Sequence, residues 1–254
     1  MILLEPSKKS TEYRLVLQHA LTYDIELHRV DQLDLWKYKE ELLSGALPVG
    51  CIQYHREAMD VVGMKEPEDF SYPASLEQFL HRRVQKIEVS KVFGRWFVKP
   101  LETKAFTGFV VDTTKNPNYL TPYEQIQLNE LLTLPQDTVV WLSDPVEWLS
   151  EVRYYIIEGV ICGSGRYDDA TDSAPLPDDH VVEQMVQQMK NTLAAFVIDV
   201  GVLSTGETAL VECNDAWAVG YYKGSLSPAK YIEMLQIRWN QLLKEMNNEK
   251  ELGV

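Results

Sequence analysis

Two acidic side chains and one amide in the C-terminal part of the chain have a spacing that could bind a metal ion. The stretch VIDVGVLSTGETALVECND, residues 197–215, alternates like two strands joined by a two-residue turn at Thr205-Gly206. Counting outward from that turn places Asp199 directly opposite Glu212. Alternation along the second strand places Asn214 on the same face as Glu212. Facing carboxylates repel each other unless a cation lies between them, so the spacing predicts a cation here.

The oxygen-only character of this set predicts the kind of cation. Mg²⁺ prefers carboxylate and carbonyl oxygens, keeps several waters, and shares its other positions with phosphates. The competing interpretation is an exposed hairpin whose acids face water, since surface acids are common. The same alternation places Leu210 on the face of Glu212 and Asn214. Apolar residues on both faces of the strands favour burial, and buried carboxylates need a partner.

Two lysines flank a loop that could bind a polyphosphate. In RWFVKPLETKAFTG, residues 95–108, Lys99 ends an apolar strand before Pro100, and Lys104 lies in the loop that ends at Gly108. Lysine ammonium groups and free backbone N–H groups can together neutralise phosphates. The competing interpretation is that each lysine is an ordinary surface residue, because lysine is mostly exposed.

Two arginines lie on the arms of a second predicted hairpin. This hairpin turns at Glu158-Gly159, and counting outward pairs Arg153 with Ser164 and Arg166 with Glu151. That register places both arginines and Glu151 on one face. Either arginine could also belong to an ordinary surface ion pair.

Composition limits the classes of function. The 254-residue chain has a formal net charge of -14 and a pI near 4.8, which argues against a nucleic-acid binder with a broad basic surface. It has no apolar run of the roughly 20 residues that span a bilayer, and its first residues do not form a signal peptide. Cys51, Cys162 and Cys213 are widely spaced, which favours reduced thiols. We therefore expect a cytoplasmic protein that binds neither nucleic acid nor membrane.

The pattern of apolar residues and turn signals predicts an α/β fold. The N-terminal third has the composition of a small α/β unit, and from about residue 91 short strands alternate with helices. Thr121 and Ser227 are predicted N-caps, each followed by a proline at the first helical position. Helices are predicted over residues 34–45, 75–86, 121–132, 178–196 and 227–246.

In this order, the clusters resemble the ATP-grasp superfamily of ATP-dependent carboxylate-amine ligases. The resemblance covers residues 91–224 and rests on FVKP with Lys99, the phosphate loop with Lys104, the hinge-like SDPVEWLSEVRYYI, and VID followed by ECN. It is closest to the branch named for one arginine and two lysines, whose members have a short N-terminal α/β region with a PVG step, here Pro48 to Gly50.

The resemblance implies a fold and a division of the chain. An ATP-grasp fold has two α+β subdomains that clasp ATP, here preceded by a small N-terminal α/β domain. Residues 1–90 would form that N-terminal domain, and residues 91–254 the ATP-grasp domain. Within the latter, residues 91–143 would be the small, lysine-bearing subdomain and residues 144–254 the large, metal-bearing one.

The resemblance also implies how the nucleotide is held. Lys99 and Lys104 would contact the ATP phosphates, and Glu151 would bind the ribose hydroxyls. Asp199, Glu212 and Asn214 would carry Mg²⁺, with Mn²⁺ as an alternative metal. The adenine hinge would consist of Val146, Glu147 and Trp148.

Arg153 and Arg166 resemble arginines that, in related glutamate ligases, steady the transferred phosphate or the carboxylate substrate. One departure affects them. Many ligases have an arginine two residues before the metal-binding aspartate, and this chain has Val197 there. The role of that arginine would fall to Arg166 or Arg153.

The implied activity is a Mg-ATP-dependent ligase that joins a carboxylate to an amine through an acylphosphate, with a peptide or protein among the candidate substrates. Both steps develop negative charge on oxygen, which magnesium, lysine and arginine stabilise. Two alternatives remain: a phosphotransferase of the same fold, and a non-catalytic ATP-binding module. The partners implied are ATP, an acid and an amine, and the sequence indicates no oligomeric state.

Overall fold

The computed structural model describes residues 1–6, 10–102, 105–168 and 170–252. Within them the chain forms one three-stranded parallel sheet and two four-stranded antiparallel sheets, with helices packed on each. The predicted mixed α/β fold is confirmed.

The N-terminal region is built on the parallel sheet. Its strands are β1 (Ile2–Leu4), β2 (Leu27–Arg29) and β3 (Leu47–Val49), in the order β2-β1-β3. The helices are α1 (Thr11–Thr22), a 3-10 helix (Gln32–Tyr38), α2 (Lys39–Leu43) and α3 (Ile52–Val62). Every residue of β1 and β3 is buried, because parallel strands joined by helices are covered on both faces.

The helix predicted over residues 75–86 is wrong. The chain forms a 3-10 helix (Ala74–Phe79), turns at His81 with a φ of 49°, and continues as strand β4 (Val84–Glu88). This strand pairs with β7 of the next sheet, and that pairing overrides the local helical pattern. The 34–45 helix is likewise split into the 3-10 helix and α2.

The small sheet carries the lysine-bearing segment. Its strands are β4, β5 (Arg95–Pro100), β6 (Phe109–Asp112) and β7 (Val139–Ser143), in the order β4-β7-β5-β6. Helix α4 (Pro122–Thr133) packs on it and begins with the predicted cap, in which Thr121 and Glu124 bond reciprocally. This sheet includes β4, which the division at residue 90 assigned to the N-terminal region.

The large sheet consists of β8 (Trp148–Ile157), β9 (Val160–Arg166), β10 (Ala195–Leu203) and β11 (Thr208–Asp215), in the order β11-β10-β8-β9. Helix α5 (Asp179–Gln188) contributes to the apolar core on one face. Helix α6 (Pro228–Leu252) packs, together with the N-terminal sheet, on the other face. Every residue of β10 is therefore buried. No helix in the described part of the chain is both long and apolar enough to span a membrane.

The pairing of β10 with β11 is as predicted at the acids, although the predicted turn is wrong. Asp199 lies opposite Glu212, and Val200 lies opposite Leu210, so Val211 is an additional residue that forms a β-bulge. Because of this bulge, Leu210 points to the face opposite Glu212, against the predicted alternation.

The loop of that hairpin is longer than two residues. The backbone N–H of Leu203 donates to the carbonyl of Glu207 at 2.9 Å, and the N–H of Gly206 donates to the carbonyl of Leu203 at 2.8 Å. Gly206 has a φ of 97°, a conformation that favours glycine. The one-residue error at the turn and the bulge at Val211 cancel at the acids.

The β8-β9 hairpin turns where predicted, with φ values of 49° at Glu158 and 77° at Gly159. Its predicted register is wrong by one residue. Cys162 is the additional residue of a bulge, since Tyr155 pairs with Gly163 and Ile156 with Ile161.

Candidate active site

Asp199, Glu212 and Asn214 meet on one face of the large sheet. The carboxyl groups belong to directly opposed residues, and Asp199 is only 1% exposed. Nδ2 of Asn214 donates to Oε1 of Glu212 at 2.9 Å and to Oδ2 of Asp199 at 3.3 Å. The predicted convergence of the three side chains is confirmed.

A cationic side chain neutralises each acid. Arg153 lies opposite Asp199 on β8, and its Nε and Nη2 donate to the two carboxylate oxygens at 2.7 and 2.6 Å. Lys99 comes from the small sheet, and its Nζ donates to Oε2 of Glu212. The expected cations are therefore side chains from two different sheets.

These pairs shift the pKa values of their members. Burial raises the pKa of Asp199 to about 6, although Arg153 acts in the opposite direction. Burial also opposes the charges of Lys99 and Glu212. Their attraction outweighs it, so the pKa of Lys99 is raised and that of Glu212 is lowered. All four groups are therefore predominantly charged at neutral pH.

The four charged groups surround one end of a cavity of about 620 Å³ between the small and large sheets. Lys99, Arg153, Glu212 and Asn214 all line it. The remaining wall comes from the segment 67–71, from Phe106, Thr107 and Gly108 of the loop after β5, and from Trp217, Val219, Gly220 and Tyr222. A cavity of this size can hold a small-molecule ligand.

The segment predicted as the adenine hinge connects the two sheets. The carbonyl of Glu147 accepts from the backbone N–H of Ser204 at 2.9 Å, and the ring of Trp148 lies against Gly201. The carboxylate of Glu151 accepts from the hydroxyl of Tyr167 at 2.6 Å. Within the described part of the chain, the wall of the cavity does not include this segment, which comprises Val146, Glu147, Trp148 and Glu151.

Arg166 lies apart from the four charged groups. Because of the bulge it pairs with Val152 rather than Glu151, which turns it to the face opposite Arg153. Its guanidinium donates to Asp168 at 2.7 Å and to the carbonyl of Thr171 at 3.0 Å. The structure therefore brings Arg153 to the acids and holds Arg166 in a separate ion pair. Lys104 lies outside the described residues.

Comparison with known proteins identifies the family. The model of a family described as an ATP-grasp domain, the second family of its clade, matches residues 79–234, more than half of the chain. The chain is an ATP-grasp protein. No curated protein sequence matches it.

Two solved structures show the same ATP-grasp fold at low sequence identity. One is D-alanine–D-alanine ligase from Bacillus anthracis complexed with ATP, which is 13% identical with a TM-score of 0.51 and 98% of each chain covered. The other is a RimK domain ATP-grasp protein from Sphaerobacter thermophilus DSM 20745, which is 13% identical with a TM-score of 0.50. That match covers 93% of this chain and 97% of the other.

The donor set of this ATP-grasp protein fits Mg²⁺. Two carboxylates and one side-chain amide offer hard oxygen ligands, and rotation of the Asn214 amide would turn its oxygen toward the acids. Among the described residues, no group of three or more His, Cys, Asp or Glu side chains could hold a metal by itself. The set is therefore a half-shell that leaves positions for water and phosphate oxygens.

Sequence reasoning missed the role of Ser71. Its hydroxyl accepts from Nζ of Lys99 at 2.8 Å, and its carbonyl accepts from the backbone N–H of Cys213 at 2.9 Å. Ser71 thus lies between Lys99 and the outer edge of β11. No short-range spacing connects residue 71 to either position, so only the tertiary structure reveals it.

Two tyrosines that support Arg153 were also missed. Tyr167 and Tyr222 stack with ring centroids 5.4 Å apart, and the guanidinium of Arg153 lies 5.6 and 5.0 Å from their centroids. Cation–π contacts of this kind stabilise a cation that has little access to water. Tyr222 was noted only as one of several aromatic residues after Asn214.

Proposed function

We propose that this ATP-grasp protein is a Mg-ATP-dependent carboxylate-amine ligase that acts through an acylphosphate. The observation that supports it most is the contact between Lys99 of the small sheet and Glu212 of the large sheet on the wall of the cavity. A phosphate-binding cation and a metal-binding acid thereby lie at the same end of one cavity. The division of the chain into a small lysine-bearing and a large metal-bearing subdomain is part of this proposal.

The charged side chains have defined roles in the proposed reaction. An oxygen of the substrate carboxylate attacks the γ-phosphorus of ATP, the bond to the bridging oxygen breaks, and ADP leaves. Lys99, which holds Glu212 in the ligand-free structure, exchanges that carboxylate for a phosphate oxygen. Mg²⁺ held by Asp199, Glu212 and Asn214 supplies positive charge to the phosphates.

The second step needs an amine close to the acylphosphate. The amine nitrogen attacks the carbonyl carbon, loses a proton, and phosphate leaves, which gives an amide, ADP and phosphate. Arg153 lines the cavity and stabilises the charge on the oxygens that change during this step. Glu68 and Glu102 on the opposite wall favour a cationic or amine-bearing substrate over an anionic one.

The roles proposed for the remaining residues follow the same geometry. Lys104 is proposed at the phosphates, and Val146, Glu147 and Trp148 at the adenine. Glu151 is proposed at the ribose, next to Tyr167. Between the two arginines, the cavity favours Arg153 as the phosphate contact, because Arg166 is bound by Asp168.

The first test of this proposal is nucleotide binding. ATP titrated into the protein by calorimetry is expected to bind in the presence of MgCl₂ and to bind at least about tenfold more weakly with EDTA, since the acids lack their cation without metal. Glu212→Gln is expected to lose this magnesium dependence while the fold is intact. Glu207→Gln is the matched control, because Glu207 is exposed on the same hairpin.

The second test identifies the reaction. The protein is incubated with Mg-ATP and pooled amino acids and peptides, and products are profiled by mass. Phosphate release that requires both an acid and an amine supports the ligase. A phosphorylated product without phosphate release indicates a phosphotransferase, and tight ATP binding without turnover in the whole screen indicates a binding module. Either of the last two results contradicts the ligase proposal.

A further inference from the structure

Arg82 connects the two sheets that carry the charged groups. It lies between the 3-10 helix at Ala74–Phe79 and strand β4, and it is partly buried. Its Nε donates to the hydroxyl of Ser143, the last residue of β7, at 2.9 Å. Its Nη1 and Nη2 donate to the carbonyls of Leu210 and Val211 on β11, at 2.7 and 3.0 Å. One guanidinium therefore binds an edge of each sheet.

The environment of Arg82 is unusual for a cation. Its partners are neutral oxygens and two aromatic rings, with Trp148 at 5.2 Å and Tyr72 at 6.0 Å from the guanidinium carbon. Among the described residues, it forms no ion pair with a carboxylate. Burial lowers the pKa of Arg82. A cation held this way is costly unless its hydrogen-bond geometry is good, so the bonds to β7 and β11 matter.

The bulge at Val211 explains how Arg82 binds β11. In a regular strand, the carbonyls of consecutive residues point to opposite edges. Leu210 and Val211 are consecutive, and both of their carbonyls accept from Arg82. The additional residue in the strand makes this possible, because it interrupts the alternation. A planar fork with two parallel donors matches such a pair of carbonyls better than an ammonium does.

The same bulge sets the position of Glu212. Glu212 directly follows Val211, and its register opposite Asp199 differs by one residue from that of the strand beyond the bulge. On the small sheet, Ser143 lies two residues after Trp141, the register partner of Lys99. Arg82 is thus bonded close to the backbone of both partners of the Lys99–Glu212 pair.

We propose that Arg82 is a positioning residue that fixes the Val211 bulge to the end of β7 and thereby holds Glu212 in reach of Lys99. This inference deepens the proposed function, on which its nucleotide-binding readout rests. Arg82 acts through the backbone of β11 and does not itself need to touch substrate.

Arg82→Lys tests the inference, because it keeps the charge and removes the fork. Arg83→Lys is the matched control: Arg83 is the next residue, its side chain is 76% exposed, and it pairs with Asp144. Thermal melts of both variants establish that they are folded. Arg82→Gln, which is neutral, is the second variant if Arg82→Lys does not fold.

The first readout is amide hydrogen exchange of the peptide that covers Val211 to Cys213, without nucleotide. Arg82→Lys is expected to exchange there at least about tenfold faster than the wild type, since hydrogen bonds from a charged donor are lost. Arg83→Lys is expected to be unchanged. Wild-type exchange in the folded Arg82 variants, or equal acceleration in Arg83→Lys, overturns the inference. This readout needs no ATP, so it is independent of the proposed function.

The second readout is affinity for Mg-ATP. Arg82→Lys is expected to raise the Kd by about tenfold or more through misplacement of Glu212, and Arg83→Lys by less than about threefold. Equal Kd values for the wild type and Arg82→Lys contradict the inference. If the wild type itself does not bind Mg-ATP, the proposed function fails, and the exchange experiment still decides the position of Arg82.

Discussion

Arg153 binds both carboxylate oxygens of Asp199 in the interior of the large sheet. The two residues lie opposite each other on β8 and β10, and the donor–acceptor distances are 2.7 and 2.6 Å. Asp199 is 1% exposed, so Arg153 is the principal source of its compensating charge. The pair links the strand that holds the predicted metal ligand to the strand that leads from the hinge.

Stability should depend strongly on this pair. Arg153→Gln leaves the Asp199 carboxylate buried without its cation, and we expect the free energy of unfolding to fall by about 3–5 kcal/mol. Urea denaturation at neutral pH measures the loss. Lys230→Gln removes an exposed partner of Glu233 and should cost at most about 1 kcal/mol. A loss from Arg153→Gln no larger than that of the control would show that the pair is not stabilising.

The two arginines should differ in their effect on turnover. Arg153→Lys keeps a charge next to Asp199 and removes the two-pronged geometry, so we expect kcat/KM to fall by roughly a hundredfold. Arg166→Lys lies at a separate ion pair with Asp168 and should change kcat/KM by less than about threefold. ATP-dependent phosphate release with the substrates found by product profiling measures both. The reverse ranking would return the phosphate contact to Arg166.

The convergence of Asp199, Glu212 and Asn214 could be predicted because it depends on alternation along two adjacent strands. Lys99 could be selected as a candidate because it lies between an apolar strand and a proline. Its contact with Glu212 crosses from one sheet to another, and the recurring order of the clusters along the chain, rather than local pattern, indicated that they would meet.

The bulges and the long-range contacts could not be predicted. An additional residue at Val211 or Cys162 leaves no distinct pattern in a strand of apolar residues, yet it reverses the face of every residue beyond it. The first bulge cancelled an error at the turn, and the second moved Arg166 away from Arg153. The segment at Arg82 was predicted as helix, so its contact with β11 was not anticipated.

Acid should weaken the N-terminal cap of α4. Hydrogen bonds from Lys115, and then from Thr121, lower the pKa of Glu124 from 4.5 to about 2. A carboxyl whose pKa is lower in the folded state contributes stability above its unfolded pKa, and that contribution is lost as the pH falls from about 4.5 toward 2.

Glu124→Gln should therefore be less stable than the wild type at pH 7, and the difference should shrink as the pH falls through that interval. Urea denaturation at a series of pH values measures it. Glu130→Gln is the control, since Glu130 is exposed on the same helix. A difference between wild type and Glu124→Gln that stays constant from pH 7 to pH 2.5 would contradict the role of the ionised cap.

A methyl group at Gly201 should displace the hinge. A Cβ at this position would lie 2.5 Å from Cε3 of Trp148 and 2.7 Å from the carbonyl of Ser150, closer than van der Waals contact allows. Because the strand is buried, Gly201→Ala should push Trp148 outward and lower the free energy of unfolding by about 1–3 kcal/mol. Urea denaturation measures the loss, and if Trp148 forms the hinge, the Kd for Mg-ATP should rise with it. In Gly220→Ala the nearest atom is Oε1 of Glu12 at 3.6 Å, so that variant should retain wild-type stability. Wild-type stability and affinity in Gly201→Ala would show that Trp148 can move without consequence, which would remove it from the hinge.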